Sequence, residues 1–431
     1  MKACDRTFIV IVVSSVIVGV AAREKDVLKS VVVLFRHGDK TPTTSFPNDP
    51  YFDKKYWPMG FGELLDKGKI RHFRVGQWLR STYADFLPSK YNRNDVRVFS
   101  TDIDRTLMSA QCNLAGLYPS KGITENRKES VIQRLQGLNN TDETKKMQPE
   151  KVANQPGKTK VDSKGEQIKH KQTKGTDLDQ KVQMDLKLLD DLPFQPVPIH
   201  SAPDEVNGML RSIEGCPNYR KLYDQLANET FFKNVSERYK EFYGLVSNLT
   251  AWQVDDLHYF AQLQSIFYVY KEANPSYLPD WHLLVDPDDL EYLAALHYSR
   301  ISFNPELAKL STGIFFSELL QHFDQVISPN DYNRKLYLIF GHEENLAAIL
   351  NSMGVFEYRV PKFASAIIWE LYEAEGRNYV QVSYRESDDY TKNLTLAGCD
   401  TRCDYDWFRN KLEPILMAQR DRKNACDIKE D

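Results

Sequence analysis

The stretch Val31-Val32-Val33-Leu34-Phe35-Arg36-His37-Gly38-Asp39-Lys40-Thr41-Pro42 constrains this chain more than any other. An unbroken apolar run, rich in β-branched residues, stops abruptly at Arg-His-Gly. Such a run suits a strand buried on both faces. Gly38 and Pro42 mark a loop directly after it. His37 and the cations Arg36 and Lys40 therefore fall just past the carboxyl end of a buried strand, where open α/β sheets hold their ligands. Phosphate chemistry is the leading reading of that placement.

Two further strand ends carry reactive residues. Val96-Arg97-Val98-Phe99 reads as a second strand, and Ser100-Thr101-Asp102 after it offers helix-capping side chains. A helix from Arg105 to Tyr118 follows, ended by Pro119. Lys335 to Phe340 is a third buried-strand candidate, followed at once by Gly341-His342-Glu343. Between the first two strands, Leu64 to Phe86 has helical spacing through Leu64, Ile70, Phe73, Val75, Trp78, Leu79 and Tyr83. Ile367–Leu371 and Tyr379–Tyr384 read as a closing antiparallel pair. The stretch from Met209 to His297 is helical and aromatic, and Leu307 to Ile327 adds another helix. This pattern predicts an α/β sheet domain, residues 23–118 and 300–431, with a mainly α-helical cap, residues 194–299, inserted into it.

Residues 119–193 differ. They contain no Phe, Trp or Tyr, where about nine would be expected at the chain's average, and they are dense in Lys, Gln, Asp and Thr. Such a segment buries too little apolar area to offset its ordering entropy, so it reads as a disordered surface insertion. The formal net charge of −4 gives no indication of a nucleic-acid partner.

Phe8 to Val20 is an apolar stretch preceded by Lys2 and Arg6 and followed by Ala21 and Ala22. It reads as a secretory signal peptide, residues 1–22, too short for a membrane anchor. Secretion makes Asn139, Asn228, Asn234, Asn248 and Asn393 candidate glycosylation sites, because each begins an Asn-x-Ser/Thr triplet. Loss of Cys4 with the signal leaves Cys112, Cys216, Cys399, Cys403 and Cys426. An odd number implies two disulfides and one free or intermolecular thiol. Zinc binding by Cys399 and Cys403 lacks a second pair at ligand spacing.

The three strand ends together bring Arg36, His37 and Lys40, then Arg105, then His342 and Glu343. A phosphoryl group in transfer spreads charge over its equatorial oxygens, so its catalysis is mostly positioning and neutralisation. Arginine binds phosphate through paired hydrogen bonds and lysine as a point charge. A neutral imidazole is a competent nucleophile. A carboxylic acid beside it, here Glu343, protonates the leaving alkoxide and later takes a proton from water. Each motif alone has a plainer reading as a cap, a helix-face ion pair or a satisfied loop pair. Their joint placement favours the functional one. His72, His170, His258, His282, His297 and His322 lack this context and read as structural or exposed. His200 reads as a hydrogen-bonded structural residue, with orientation of the site as the alternative. Asp39, Asp102 and Asp104 read as loop and cap residues.

Arg36-His37-Gly38-Asp39-Lys40-Thr41-Pro42 resembles the signature of the histidine acid phosphatases, within the wider histidine phosphatase superfamily. The likeness extends to Trp57-Pro58-Met59-Gly60-Phe61-Gly62-Glu63-Leu64, to Ser100-Thr101-Asp102-Ile103-Asp104-Arg105-Thr106-Leu107-Met108-Ser109-Ala110, to Pro196–His200, to Cys216-Pro217 and to the tail from Gly398 through Cys426. The nearest likeness is to the secreted prostatic and lysosomal type, including insect venom enzymes. The resemblance implies a three-layer α/β/α domain with a helical cap, no metal or other cofactor, a small phosphate ester as substrate, and often a homodimer. It implies that His37 becomes phosphohistidine, that Arg36, Arg105 and His342 hold the phosphate, and that Cys216 pairs with Cys426 and Cys399 with Cys403. Lys40 stands where the family usually has Arg, and Glu343 where it usually has Asp. A secreted, active acid phosphatase is the expectation. A catalytically weakened relative retained as a binding, venom or salivary protein is the alternative.

Overall fold

The computed structural model describes residues 26–120, 193–201, 208–328, 332, 334–387 and 390–428. The expected signal peptide, residues 121–192 of the expected insertion, Asn139 and His170 lie outside the described residues.

Strand β1 (Val27–Arg36) forms the middle of the sheet, and its segment Val31–Phe35 is at most 1% exposed. Such burial follows from an apolar run with neighbours on both edges and helices on both faces. On one edge it pairs in parallel with β3 (Leu336–Gly341), and β3 pairs in parallel with β2 (Val96–Ser100). On the other edge β4 (Ala366–Ala374) and β5 (Arg377–Ser387) form an antiparallel hairpin. Glu375 and Gly376 turn it with positive φ, the conformation that matches strand twist in a two-residue turn. Strands β6 (Tyr390–Asn393) and β7 (Arg402–Asp404) both pair with β5.

Alternation along β1 divides the core. Val31, Val33 and Phe35 pack with Val75 and Leu79 of helix α1 (Asp66–Thr82) and with Ala110 and Leu114 of α2 (Asp104–Leu117). Val32 and Leu34 face a second, larger core. This core draws on the helices that lie between β2 and β3: α3 (Pro217–Gln225), α4 (Thr230–Arg238), α5 (Lys240–Thr250), α6 (His258–Ala273), α7 (Pro287–Ser299) and α8 (Pro305–Ile327). It also takes Leu346 of α9 (Glu343–Ser352) and Phe408 of α10 (Tyr405–Leu412). The result is a three-layer α/β/α fold. Helices α7 and α8 start where Asp286 and Asn304 accept backbone N–H groups and proline occupies the first turn.

Two local expectations fail for physical reasons. Ile70 and Phe73, read as part of the buried stripe of α1, are 51% and 39% exposed. The inward positions are instead Gly68, His72, Val75, Gly76 and Leu79. A Cβ at Gly76 would lie 1.9 Å from the Asn113 carbonyl oxygen, and one at Gly116 would lie 2.1 Å from that of Phe73. Helices α1 and α2 thus touch backbone to backbone, and large side chains are turned outward. The second failure is the expected cap at Ser100–Asp102. Ile103 holds the N-cap position of α2 and no side chain caps the helix, because Thr101 is directed inward.

Cys216 is joined to Cys426, which fastens the terminal turn Arg422–Cys426 to the start of α3. Cys399 is joined to Cys403 of β7. Cys112 is a free, half-buried thiol on α2. Asn228, Asn234, Asn248 and Asn393 are exposed.

The backbone contact between α1 and α2 sets a stability contrast. Gly76→Ala is expected to cost about 1–3 kcal/mol, because the helices must separate. Gly244→Ala on α5, where a Cβ meets nothing within 4 Å, is expected to stabilise by about 0.5–1 kcal/mol. Urea denaturation of both variants checks this.

Candidate active site

The parallel strands end level, which assembles the site. Arg36 is paired with Gly341, and Ser100 with Phe340. The His37 N–H donates to the Gly341 carbonyl at 3.0 Å, and the Thr101 N–H to that of Phe340 at 3.1 Å. His37, Thr101 and His342 therefore leave the sheet side by side.

The loop after β1 is held from three directions. Its backbone is zipped to residues 63–65 by Thr41 N–H to Glu63 O (2.8 Å) and Leu65 N–H to Asp39 O (2.9 Å). Asp39, fully buried, receives two hydrogen bonds from Arg71 of α1, at 2.7 and 3.1 Å. Its loop role is thus an anchor. The Gly38 N–H donates to Ser109 Oγ of α2 at 3.1 Å. Close approach explains the glycines, since a Cβ on Gly38 would come within 2.6 Å of the Gly68 carbonyl oxygen.

His37 is fully buried, and its Nδ1 lies 2.8 Å from its neighbour Gly38's carbonyl oxygen. A carbonyl only accepts, so Nδ1 carries the proton and Nε2 keeps its lone pair. Among the described residues Nε2 has no hydrogen-bond partner, and it lies 3.6 Å from Glu343 Oε2. Burial lowers the pKa of His37 to about 4, against the opposing pull of Glu343, so the ring is neutral above that pH.

Cations gather about Glu343 and the His37 ring. Arg36 is 1% exposed, stacks 4.3 Å from the Phe363 ring centre, donates from Nη1 to the Pro361 carbonyl and lies 3.0 Å from Glu343 Oε2 through Nε. Lys40 is 3% exposed, and among the described residues its ammonium has only a 3.5 Å contact to the Thr41 carbonyl. Burial lowers its pKa to about 8. Arg105 makes 3.5 Å contacts with Gly62 O and His342 Nδ1, and its buried Nε has no hydrogen-bond partner among the described residues.

His342 Nε2 is 3.0 Å from Thr101 Oγ1, which is 2.8 Å from Thr106 Oγ1, which donates in turn to the Ile103 carbonyl at 2.7 Å. A guanidinium only donates, so Nδ1 of His342 faces Arg105 as an acceptor and Nε2–H starts this hydroxyl chain. Burial, with the charges on His37 and Arg105 when present, holds the His342 pKa well below its ordinary value. Glu343 is held in the opposite sense to its burial. The Arg36 guanidinium keeps its carboxyl well below the usual range.

Arg36, His37, Lys40, Arg105, His342 and Glu343 thus converge. Lys40, Arg105, His342 and Glu343 line a cavity of about 290 Å³ together with Glu344, His258 and His297. His258 and His297 had no site context in the sequence. Helices α6 and α7 bring them to this cavity, and no local pattern announces that. His72 is fully buried on α1 and its Nε2 lies 3.1 Å from the Arg36 carbonyl oxygen, so it supports the peptide that carries His37. Histidine at a helix position facing a strand end was its only signal. His200 pairs through its backbone with Val98 and Ser100 at the edge of β2. His322 bonds Ser30 and Tyr332 near the opposite end of β1. Among the described residues, no group of three or more His, Cys, Asp or Glu side chains is placed to hold a metal ion.

The chain is 28% identical to prostatic acid phosphatase from Bos taurus, over 95% of this chain and 92% of that one. It is 27% identical to lysosomal acid phosphatase from Homo sapiens, over 93% and 80%. The fold is shared with Hafnia alvei phytase in complex with myo-inositol hexakis sulphate, with a TM-score of 0.59 at 15% identity, covering 95% of this chain and all of that one. Residues 27–385 match the family model "Histidine phosphatase superfamily (branch 2)", and the chain belongs to that family of phosphatases.

Proposed function

We propose that this chain is a secreted acid phosphatase that hydrolyses small phosphate monoesters through a phosphohistidine on Nε2 of His37. The observation that carries the reading is the charge balance around that nitrogen. Arg36, Lys40 and Arg105 are gathered at this site, and Glu343 is the carboxylate paired among them. Three cations less one carboxylate leave two positive charges, which match a phosphate monoester dianion. Cations buried without partners are costly, and an incoming phosphate supplies the missing acceptors.

The chemistry follows from the tautomer. With Nδ1–H held on Gly38, the Nε2 lone pair attacks phosphorus while Arg36, Lys40, Arg105 and His342 bind the equatorial oxygens. A carboxyl at the start of α9 protonates the leaving oxygen and then takes a proton from the water that cleaves the phosphohistidine. The sequence assigns this task to Glu343. The kinship with prostatic and lysosomal acid phosphatases, the apolar stretch at residues 8–20, the two disulfides and the exposed Asn-x-Ser/Thr acceptors support a secreted glycoprotein.

Three outcomes are expected. His37→Ala abolishes turnover of an aryl phosphate by the purified protein, and equal hydrolysis by variant and wild type rejects the mechanism. Lys40→Ala raises the inhibition constant of inorganic phosphate about 10- to 100-fold, from loss of a charged hydrogen bond. In kcat/KM against pH, activity falls as pH drops through about 4, because His37 then takes up a proton on the attacking nitrogen.

A further inference from the structure

Residues Glu343 and Glu344 open helix α9 in succession, and successive helical residues point about 100° apart. Their surroundings differ accordingly. Glu343 turns to the inner wall, with Oε2 3.0 Å from Arg36 Nε and 3.6 Å from His37 Nε2. Glu344 is half-buried and lines the cavity over the site with Lys40, Arg105 and His342. It also lines an adjoining chamber of about 690 Å³, whose other walls include Tyr219, Tyr223, Ile301, His297 and Tyr298. Glu344, His297 and Tyr298 are the wall that the two spaces share.

In-line displacement sets the requirement. The leaving oxygen lies on the side of phosphorus opposite the attacking atom. Glu343 is beside the attacking nitrogen, at the wrong end of that line, and is committed to Arg36. Glu344 stands on the wall shared by the cavity over the cation cluster and the adjoining chamber. We propose that Glu344, rather than Glu343, is the acid that protonates the leaving oxygen, and that Glu343 instead holds Arg36 in place. This assignment rests on the phosphohistidine reading given above.

The step balances. Nε2 of His37 bonds to phosphorus as the P–O ester bond breaks, and the departing oxygen takes the proton of the Glu344 carboxyl. The resulting carboxylate then removes a proton from water, whose oxygen bonds to phosphorus as the P–N bond breaks. The electron pair returns to Nε2, phosphate leaves, and Glu344 is again protonated. Burial and the adjacent charge of Glu343 push the Glu344 pKa up to about 7, against the pull of Arg105 and Arg36. Besides Glu343, Arg105 and Arg36, the titratable and charged groups that line these cavities with it are Lys40, His258, His297, His342, Tyr219, Tyr223, Tyr298, Arg211, Arg220 and Glu214. Glu344 therefore carries its proton in acid and loses it as pH rises through about 7.

Leaving-group dependence tests the assignment. Wild type, Glu344→Gln and Glu343→Gln are compared on p-nitrophenyl phosphate, whose leaving group needs no proton, and on glycerol phosphate, whose leaving group does. Glu344→Gln is expected to lower kcat on glycerol phosphate by about 10²- to 10⁴-fold and on p-nitrophenyl phosphate far less, and to abolish the fall in kcat/KM near pH 7. Glu343→Gln is expected to lower both substrates by similar factors. Glu344→Asp, which keeps the acid, is expected to recover part of the glycerol phosphate activity, and binding of inorganic phosphate verifies that each variant is folded. Equal losses on both substrates for Glu344→Gln, or a selective loss for Glu343→Gln, overturn the proposal. A wild-type protein that hydrolyses neither substrate, or a His37→Ala variant as active as wild type, overturns the phosphatase reading itself.

Discussion

The in-register parallel pairing of β1 with β3 is the constraint on which the rest depends. It sets Arg36 opposite Gly341 and lets the His37 N–H bond the Gly341 carbonyl. Residues 305 positions apart in the chain therefore leave the sheet side by side. Strand β2 ends against β3 at the same level, which adds Thr101 and Arg105. A one-residue slip would reverse the faces of a whole strand and bury the wrong groups. Both faces of β1 are packed, so such a slip is strongly disfavoured.

That geometry concentrates positive charge in a dry place. Arg36 and Lys40 are almost wholly buried, and Glu343 is paired with Arg36 alone among them at salt-bridge distance. Low local dielectric makes the unpaired cations costly to the resting fold and valuable to a bound dianion. The loop can hold them because its backbone is tied to residues 63–65, Asp39 is clamped by Arg71, and Ser109 accepts the Gly38 N–H. The same burial keeps His37 neutral, which a nucleophilic imidazole requires.

Much of this was legible beforehand. Apolar runs that stop at glycine or at small polar capping residues located β1, β2 and β3 to within a residue at their carboxyl ends, because buried strands tolerate little else. The candidate site residues stood out because they follow those runs directly. The inward face of α1 was not legible. Periodicity marked Ile70 and Phe73 as buried, whereas close approach to α2 selects Gly76 and Gly116 for having no side chain. His258 and His297 were equally hidden, since their contribution depends on how α6 and α7 lie over the sheet.

The sequence by itself determined which residues are candidates for the site and that three strand ends present them. Local apolar patterning and turn chemistry encode those features within a few residues. Only the tertiary structure decided which histidine nitrogen is free, which carboxylate is tied to Arg36, and which carboxyl faces the chamber beside the site. Those outcomes turn on contacts between segments far apart in the chain, among them His37 with Glu343, Thr101 with His342, and Arg36 with the 361–363 segment. A difference of about 1 Å or of one helical position changes the chemical role of a side chain there, and no local pattern records it.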